Sequence, residues 1–201
     1  MTTILFLLTF LTLPVLLVRL IIKAIKRKPL KSTLKIMGLI AGVYLLLWTG
    51  FYFASGYTTI PLGTDVCFDD WCATVTKIDN EPVVKAKLPA LPADSTWVIL
   101  HIKMSNHARG IAQKPSEPRV HLIDAQGGYW PYSAIGQQAL EKTEGPQPGI
   151  DNKLELHQSM ETQLVFAIPA TAKEVKVLIE EGPASTKLLL PDDREVFSVP
   201  Q

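Results

Sequence analysis

Two long runs without a charged residue, close together at the start of the chain, constrain the fold more than any other feature. Thr2 to Val18 holds 17 uncharged residues, its apolar character continuing past Arg19 to Ile22, and Ile36 to Ala54 holds 19. An α-helix rises about 1.5 Å per residue and the hydrocarbon core of a bilayer is about 30 Å thick, so each run is long enough to span it. Pro14 in the first run is tolerable, since proline kinks a membrane helix more often than it ends one. Trp48, Phe51, Tyr52 and Tyr57 close the second run with aromatics suited to a headgroup boundary.

Charge separates these runs from the rest. Residues 1–54 carry seven Lys or Arg and no Asp or Glu, whereas residues 55–201 carry 13 against 19. Six of the seven basic residues fall between Lys23 and Lys35, a stretch short enough for the positive-inside rule to place it in the cytoplasm. A cleaved signal peptide has its positive charges before the apolar run, and here the order is reversed. The expected organisation is a first transmembrane helix at 1–22, a basic cytoplasmic loop at 23–35 and a second helix with its interfacial end at 36–57. A linker at 58–63 and one outer domain at 64–201 complete it. Both termini then lie outside the cytoplasm, with the chain in the plasma or inner membrane. The bilayer is one expected partner and an envelope or membrane protein another. Nucleic acid is excluded, because the larger part is acidic and the basic residues sit between apolar runs.

Gly38 and Gly42 form a G-x-x-x-G in the second run, which places both on one helix face. That face suits close packing against the first helix or a partner, or reflects the frequency of glycine in membrane helices. The two cysteines, Cys67 and Cys72, sit in the string Cys-Phe-Asp-Asp-Trp-Cys. Outside the cytoplasm they are expected to form a disulfide pinning an N-terminal hairpin, rather than remain free thiols. Two thiols cannot complete a structural zinc site.

Beyond Tyr57 the apolar pattern has period two. Val98, Leu100, Ile102 and Met104 alternate with Trp97, Ile99, His101 and Lys103, the signature of a strand with one core face. Further short strands are expected at Ala73–Ile78, Arg119–Ile123, Lys153–Leu156, Glu161–Ile168, Glu174–Glu180 and Lys187–Leu190, separated by proline and glycine turns. Ser133 to Lys142 reads as one helical insertion or a loop. Many short strands with such punctuation predict an all-β antiparallel sandwich or barrel after the two helices.

Three segments in order carry a resemblance: Trp97–Asn106; Val120–Asp124 with Gly127, Gly128 and Tyr129; and Leu164–Ala170. Over roughly residues 64–190 the chain resembles bacterial immunoglobulin-like domains of unknown function related to secreted immunoprotective antigens. It departs from them at His157-Gln158-Ser159-Met160-Glu161, where many members have Pro-Gly-Glu. The resemblance implies an immunoglobulin-like β-sandwich and brings no catalytic residue with it.

No serine-hydrolase elbow, zincin helix or nucleotide-binding loop occurs in the chain. His101, Met104 and His107 have a spacing reminiscent of copper sites, but strand geometry turns His101 and Met104 to opposite faces. Histidines on the solvent face are the expectation, and copper or zinc binding is the alternative function. Tyr129, Trp130 and Tyr132 form the densest aromatic cluster of the outer domain. They are a candidate partner surface, or else Tyr129 and Trp130 straddle a strand. The acidic pairs Glu180-Glu181 and Asp192-Asp193 read as solvated surface. No cofactor, metal ligand or catalytic residue is assigned, and the expected function is non-enzymatic: an anchored module for protein contacts.

Overall fold

The computed structural model describes residues 2–54, 56–68, 70–79, 84, 87–92, 94–182 and 194–199. The chain divides into two compact units, one holding the N-terminal helices and the other holding residues 57–182 with 195–201.

In the first unit, α1 (Thr2–Ile25) and α2 (Lys31–Ala54) form a helical hairpin. Both are long and apolar enough to cross a membrane, over Leu7–Ile25 and Lys31–Phe53. α1 runs past the expected boundary at residue 22, and α2 begins within the expected basic loop. α1 ends in a Schellman motif: Arg27 adopts φ +50°, Arg27 N donates to Ala24 O at 3.0 Å, and Lys28 N donates to Lys23 O at 2.9 Å. Pro29 then prevents the helix from resuming. Lys23 Nζ donates to Thr33 Oγ1 at 2.9 Å and ties the turn. Within the apolar runs, the hydroxyls of Thr12 and Thr49 donate one turn back, to Leu8 O at 2.8 Å and Leu45 O at 2.7 Å. Each hydroxyl is thereby satisfied within its own helix.

The second unit is a β-sandwich. One sheet has four strands in the order β2-β3-β4-β7: Asp65–Phe68, Trp71–Ile78, Ser95–Asn106 and Ser159–Pro169. The other has the order β1-β9-β8-β5-β6, formed by Tyr57–Ile60, Arg194–Ser198, Lys176–Glu180, Arg119–Ile123 and Tyr129–Pro131. Alternation decides which side chains meet between them. Val75, Leu100, Ile102 and Phe166 of the first sheet pack with Val120, Leu122, Val177 and Phe197 of the second in one buried cluster. A second cluster lies on the outer face of the four-stranded sheet, where Ile99 and Val165 are covered by Leu140, Val84 and Leu88.

Leu140 belongs to α3 (Ala134–Glu144), so the stretch open to either reading is a helix. Ser133 caps it by accepting from Gly136 N, and Gly145 at φ +88° ends it. The linker expected at 58–63 is mostly strand, because Tyr57–Ile60 adds to the edge beside β9. Its exposed side chains give no alternation to read. Lys153–Leu156 contributes a single bridge, Leu154 to Gln113, rather than a strand. Lys187–Leu190 and Asp192-Asp193 lie outside the described residues.

Glu180 and Glu181 depart from the solvated surface expected of them. Glu180 is only 6% exposed. Glu181 Oε1 accepts from Trp71 Nε1 at 2.7 Å and from Ser116 N at 3.3 Å. The carboxylate just past the end of β8 therefore links that sheet to Trp71 of the other.

Gly136 sets how closely α3 can approach. A Cβ there would stand 2.5 Å from Val165 Cγ1 and 2.7 Å from Trp97 Cζ3. Gly136→Ala should therefore destabilise a fragment starting at Tyr57 by about 1–3 kcal/mol, the usual cost of overpacking, outweighing a helix-propensity gain of about 1 kcal/mol. A urea melt followed by tryptophan fluorescence reads the sign directly.

Candidate functional site

The two ends of the sandwich are built differently. At one end the β2–β3 hairpin is closed by the Cys67–Cys72 disulfide, the two residues standing directly opposite with Cα atoms 4.0 Å apart. Asp70 in its turn reaches the next loop: its carbonyl accepts from His107 N at 2.8 Å and its Oδ2 from Gln113 Nε2 at 2.6 Å. Asn106, 2% exposed, organises the same end. Its Nδ2 donates to the carbonyls of Ile111, Leu154 and Glu155 at 3.0–3.2 Å, and its Oδ1 accepts from Ala108 N at 2.8 Å. One buried amide thus holds two loops in register.

On the outer face of the four-stranded sheet lies a charge network not anticipated from sequence. The Asp79 side chain is fully buried and meets Lys77 at 2.7 Å, Lys87 at 3.2 Å and His101 Nε2 at 3.2 Å. Lys87 also pairs with Glu144 of α3 at 2.8 Å, and Glu144 accepts from Gln163 Nε2 at 2.7 Å. Burial pushes the Asp79 carboxyl up, but the close approach of Lys77, His101 and Lys87 outweighs it and holds the pKa at about 2. Lys87 loses some basicity to burial and more than recovers it from Glu144 and Asp79, so its pKa is raised. The hydrogen bond from Lys87, with that from Gln163, lowers Glu144. Every carboxylate of the network has a cation, and the pairs tie α3 to the sheet beneath it.

Asp79 also borders a cleft of about 550 Å³ at the end opposite the disulfide, where Ile78, Val98, Ile168, Val175 and Val199 line an opening in the shared core.

The other nominated residues disperse. Trp130 packs against the shared core, while Tyr129 and Tyr132 are about half exposed, at 53% and 50%. His121, placed on the solvent face from sequence, is 8% exposed, and its ring lies 4.3 Å from that of Tyr129. It sits on β5 between β8 and β6, and the Tyr129 ring packs on its own. His107 contacts Ser105 Oγ at 3.1 Å, and His157 sits in a turn at φ +60°. Among the described residues, no three His, Cys, Asp or Glu side chains gather into a group able to hold a metal. Gly38 lines an apolar groove with Leu13, Leu17 and Met37, yet a Cβ on Gly38 or Gly42 would meet nothing within 4 Å. The approach of α1 to α2 does not depend on either glycine.

No protein-family model matches the chain, and no curated protein sequence does. Solved structures with a similar arrangement include the secreted protein MPT63 of Mycobacterium tuberculosis, at 12% identity and TM-score 0.46, with 72% of this chain and 98% of that one covered. An uncharacterized β-sandwich protein from Clostridium difficile matches at 11% identity and TM-score 0.44, covering 73% and 96%. A conserved hypothetical protein from Bacillus anthracis matches at 12% and 0.45, covering 60% and 87%. The architecture of this chain rests on its own strand pairing and shared core.

Two outcomes follow from the geometry. Asp79 has a folded pKa of about 2 against an ordinary 3.8. Its contribution to stability is therefore complete above about pH 4 and disappears as pH falls toward 2, a loss of about 2 kcal/mol. Urea midpoints of wild type and Asp79→Asn measured against pH should converge over that window. Cys67→Ser opens a short loop and should cost about 2 kcal/mol on the loop-entropy model. A typical domain stability of about 5–15 kcal/mol tolerates that, so denaturant melts should show a weaker but still cooperative transition.

Proposed function

We propose that this chain is a two-span membrane protein of the plasma or inner membrane. It presents an immunoglobulin-like β-sandwich outside the cytoplasm as a non-enzymatic module for contacts with an envelope or membrane protein. One observation carries the reading. Two helices of spanning length are joined by a five-residue connection, Lys26 to Leu30, that holds three basic residues, and α2 is followed within three residues by a disulfide-containing sandwich. The positive-inside rule then puts the connection in the cytoplasm, and an oxidising compartment beyond the membrane suits the Cys67–Cys72 bond.

The contact role is supported by what the sandwich exposes and by how its charges are used. Tyr129 and Tyr132 stand about half exposed, and Ile135 at the start of α3 is 75% exposed. Exposed side chains that are large and amphipathic or apolar are of the kind a protein partner covers. The ionisable groups around Asp79 neutralise one another in locking α3, an arrangement that favours a structural role over proton exchange with a substrate.

Reporter fusions test the topology. Alkaline phosphatase placed after Gln201 should be active and a green fluorescent protein there should be dark, with the opposite pattern for insertions at residues 26–31. The reverse pattern at both sites would remove the extracytoplasmic reading and the compartment argument for the disulfide with it.

A further inference from the structure

We infer that the open end of the sandwich is a binding site for a single-chain amphiphile with an anionic headgroup, of the fatty-acid type. At the end where Ser95 pairs with Pro169, the described residues line a cleft of about 550 Å³ that opens into the core between the two sheets. Volumes of about 300–1,000 Å³ are typical of sites that take one small ligand, with apolar walls and a few polar groups to orient it. The walls here are Ile78, Val98, Ile168 and Val175, and all four belong to or pack on the core shared by both sheets. An apolar chain in the cleft therefore continues that core instead of lying on the surface.

Charge at the mouth selects the headgroup. Asp79 is the carboxylate in the lining, and Lys77, Lys87 and His101 already engage it. Lys173 lies at the cleft, is exposed, and forms no ion pair among the described residues. The charge left available to a ligand is thus positive, and Thr96 and Thr171 stand in the same lining. A carboxylate head on Lys173 with its chain between the sheets satisfies both halves of the site.

The test uses the full chain in lipid nanodiscs and a dodecanoate probe carrying a photoreactive diazirine near its methyl end. Saturable labelling should map to peptides containing Val98 and Ile168–Val175, and unlabelled dodecanoate should compete with it. Ala172→Trp, which fills the cleft from its loop, should abolish that labelling. Lys173→Glu, an exposed substitution, should weaken competition by dodecanoate about fivefold, the scale of a part-exposed ion pair, and leave competition by dodecanol unchanged. Labelling confined to Leu7–Ile25 and Lys31–Phe53 would overturn the proposal, as would cleft labelling indifferent to both substitutions. Equal competition by dodecanol and dodecanoate in the wild type would overturn the assignment of the anionic head.

Discussion

The ladder between β4 and β7 is the contact on which the rest of the sandwich depends. It runs without interruption from Ser95 opposite Pro169 to Ser105 opposite Ser159. Its inward residues, Val98 against Phe166 and Leu100 against Leu164, fill one side of the shared core. Its outward residues include Ile99 against Val165, both fully buried, and these demand a cover. A slip of one residue would exchange the two sets and leave both layers wrong. α3 is therefore a consequence of the ladder: with Val84 and Leu88 it covers the apolar spot the register creates, and Gly136 lets it sit directly on Val165 and Trp97.

The same helix resolves a second problem. β7 is the last strand of its sheet, and a free edge invites pairing with other chains. Here Ser133 N donates to Val165 O at 2.6 Å, and Gln137 both accepts from Val165 N at 3.2 Å and donates to Gln163 O at 3.0 Å. Gln147 accepts from Gln163 N at 3.3 Å. Side-chain amides thus take the places a neighbouring strand would occupy. Ser133 serves twice, since its hydroxyl caps α3 while its amide closes the edge. The ion pairs of Lys87 with Asp79 and Glu144 hold this layer down from the far end of the helix.

What could be read in the sequence was what local pattern decides. The alternation of Trp97–Met104 located the central strand and its core face, and Arg119–Ile123 is a strand to the residue. The cysteine spacing identified the hairpin that the disulfide closes. Elements whose pattern is made by tertiary neighbours could not be read. β1 offers exposed threonines with no alternation, and β6 is three residues long. Glu181 looks like a surface acid until the fold brings Trp71, 110 residues away in sequence, to its carboxylate. The Asp79 network was hidden for the same reason. Its members come from β3, β4, α3 and the segment at Lys87, and no spacing rule links Lys87 to Glu144. His121 could not be read either: the histidines were expected on the solvent face, yet this one is 8% exposed with its ring 4.3 Å from that of Tyr129.

The contrast between the ends of the sandwich has a physical origin in what holds each loop. At the disulfide end the loops are fixed by side chains buried among them, Asn106 above all, so space between the sheets is used up by the hydrogen-bonding groups themselves. At the other end the turns hold themselves by backbone bonds: Ala170 N to Asp94 O at 2.8 Å, Ala172 N to Pro169 O at 3.0 Å and Val199 N to Val175 O at 2.9 Å. Such turns place only the short side chains of Ala172 and Val199 against the core. The core can therefore stay open beneath them without loss of any backbone partner, which is the condition an apolar ligand site requires: walls fixed by hydrogen bonds that a ligand need not break. Rigidity at one end and an open core at the other are thus compatible within one sandwich, because the β4–β7 ladder carries the register between them.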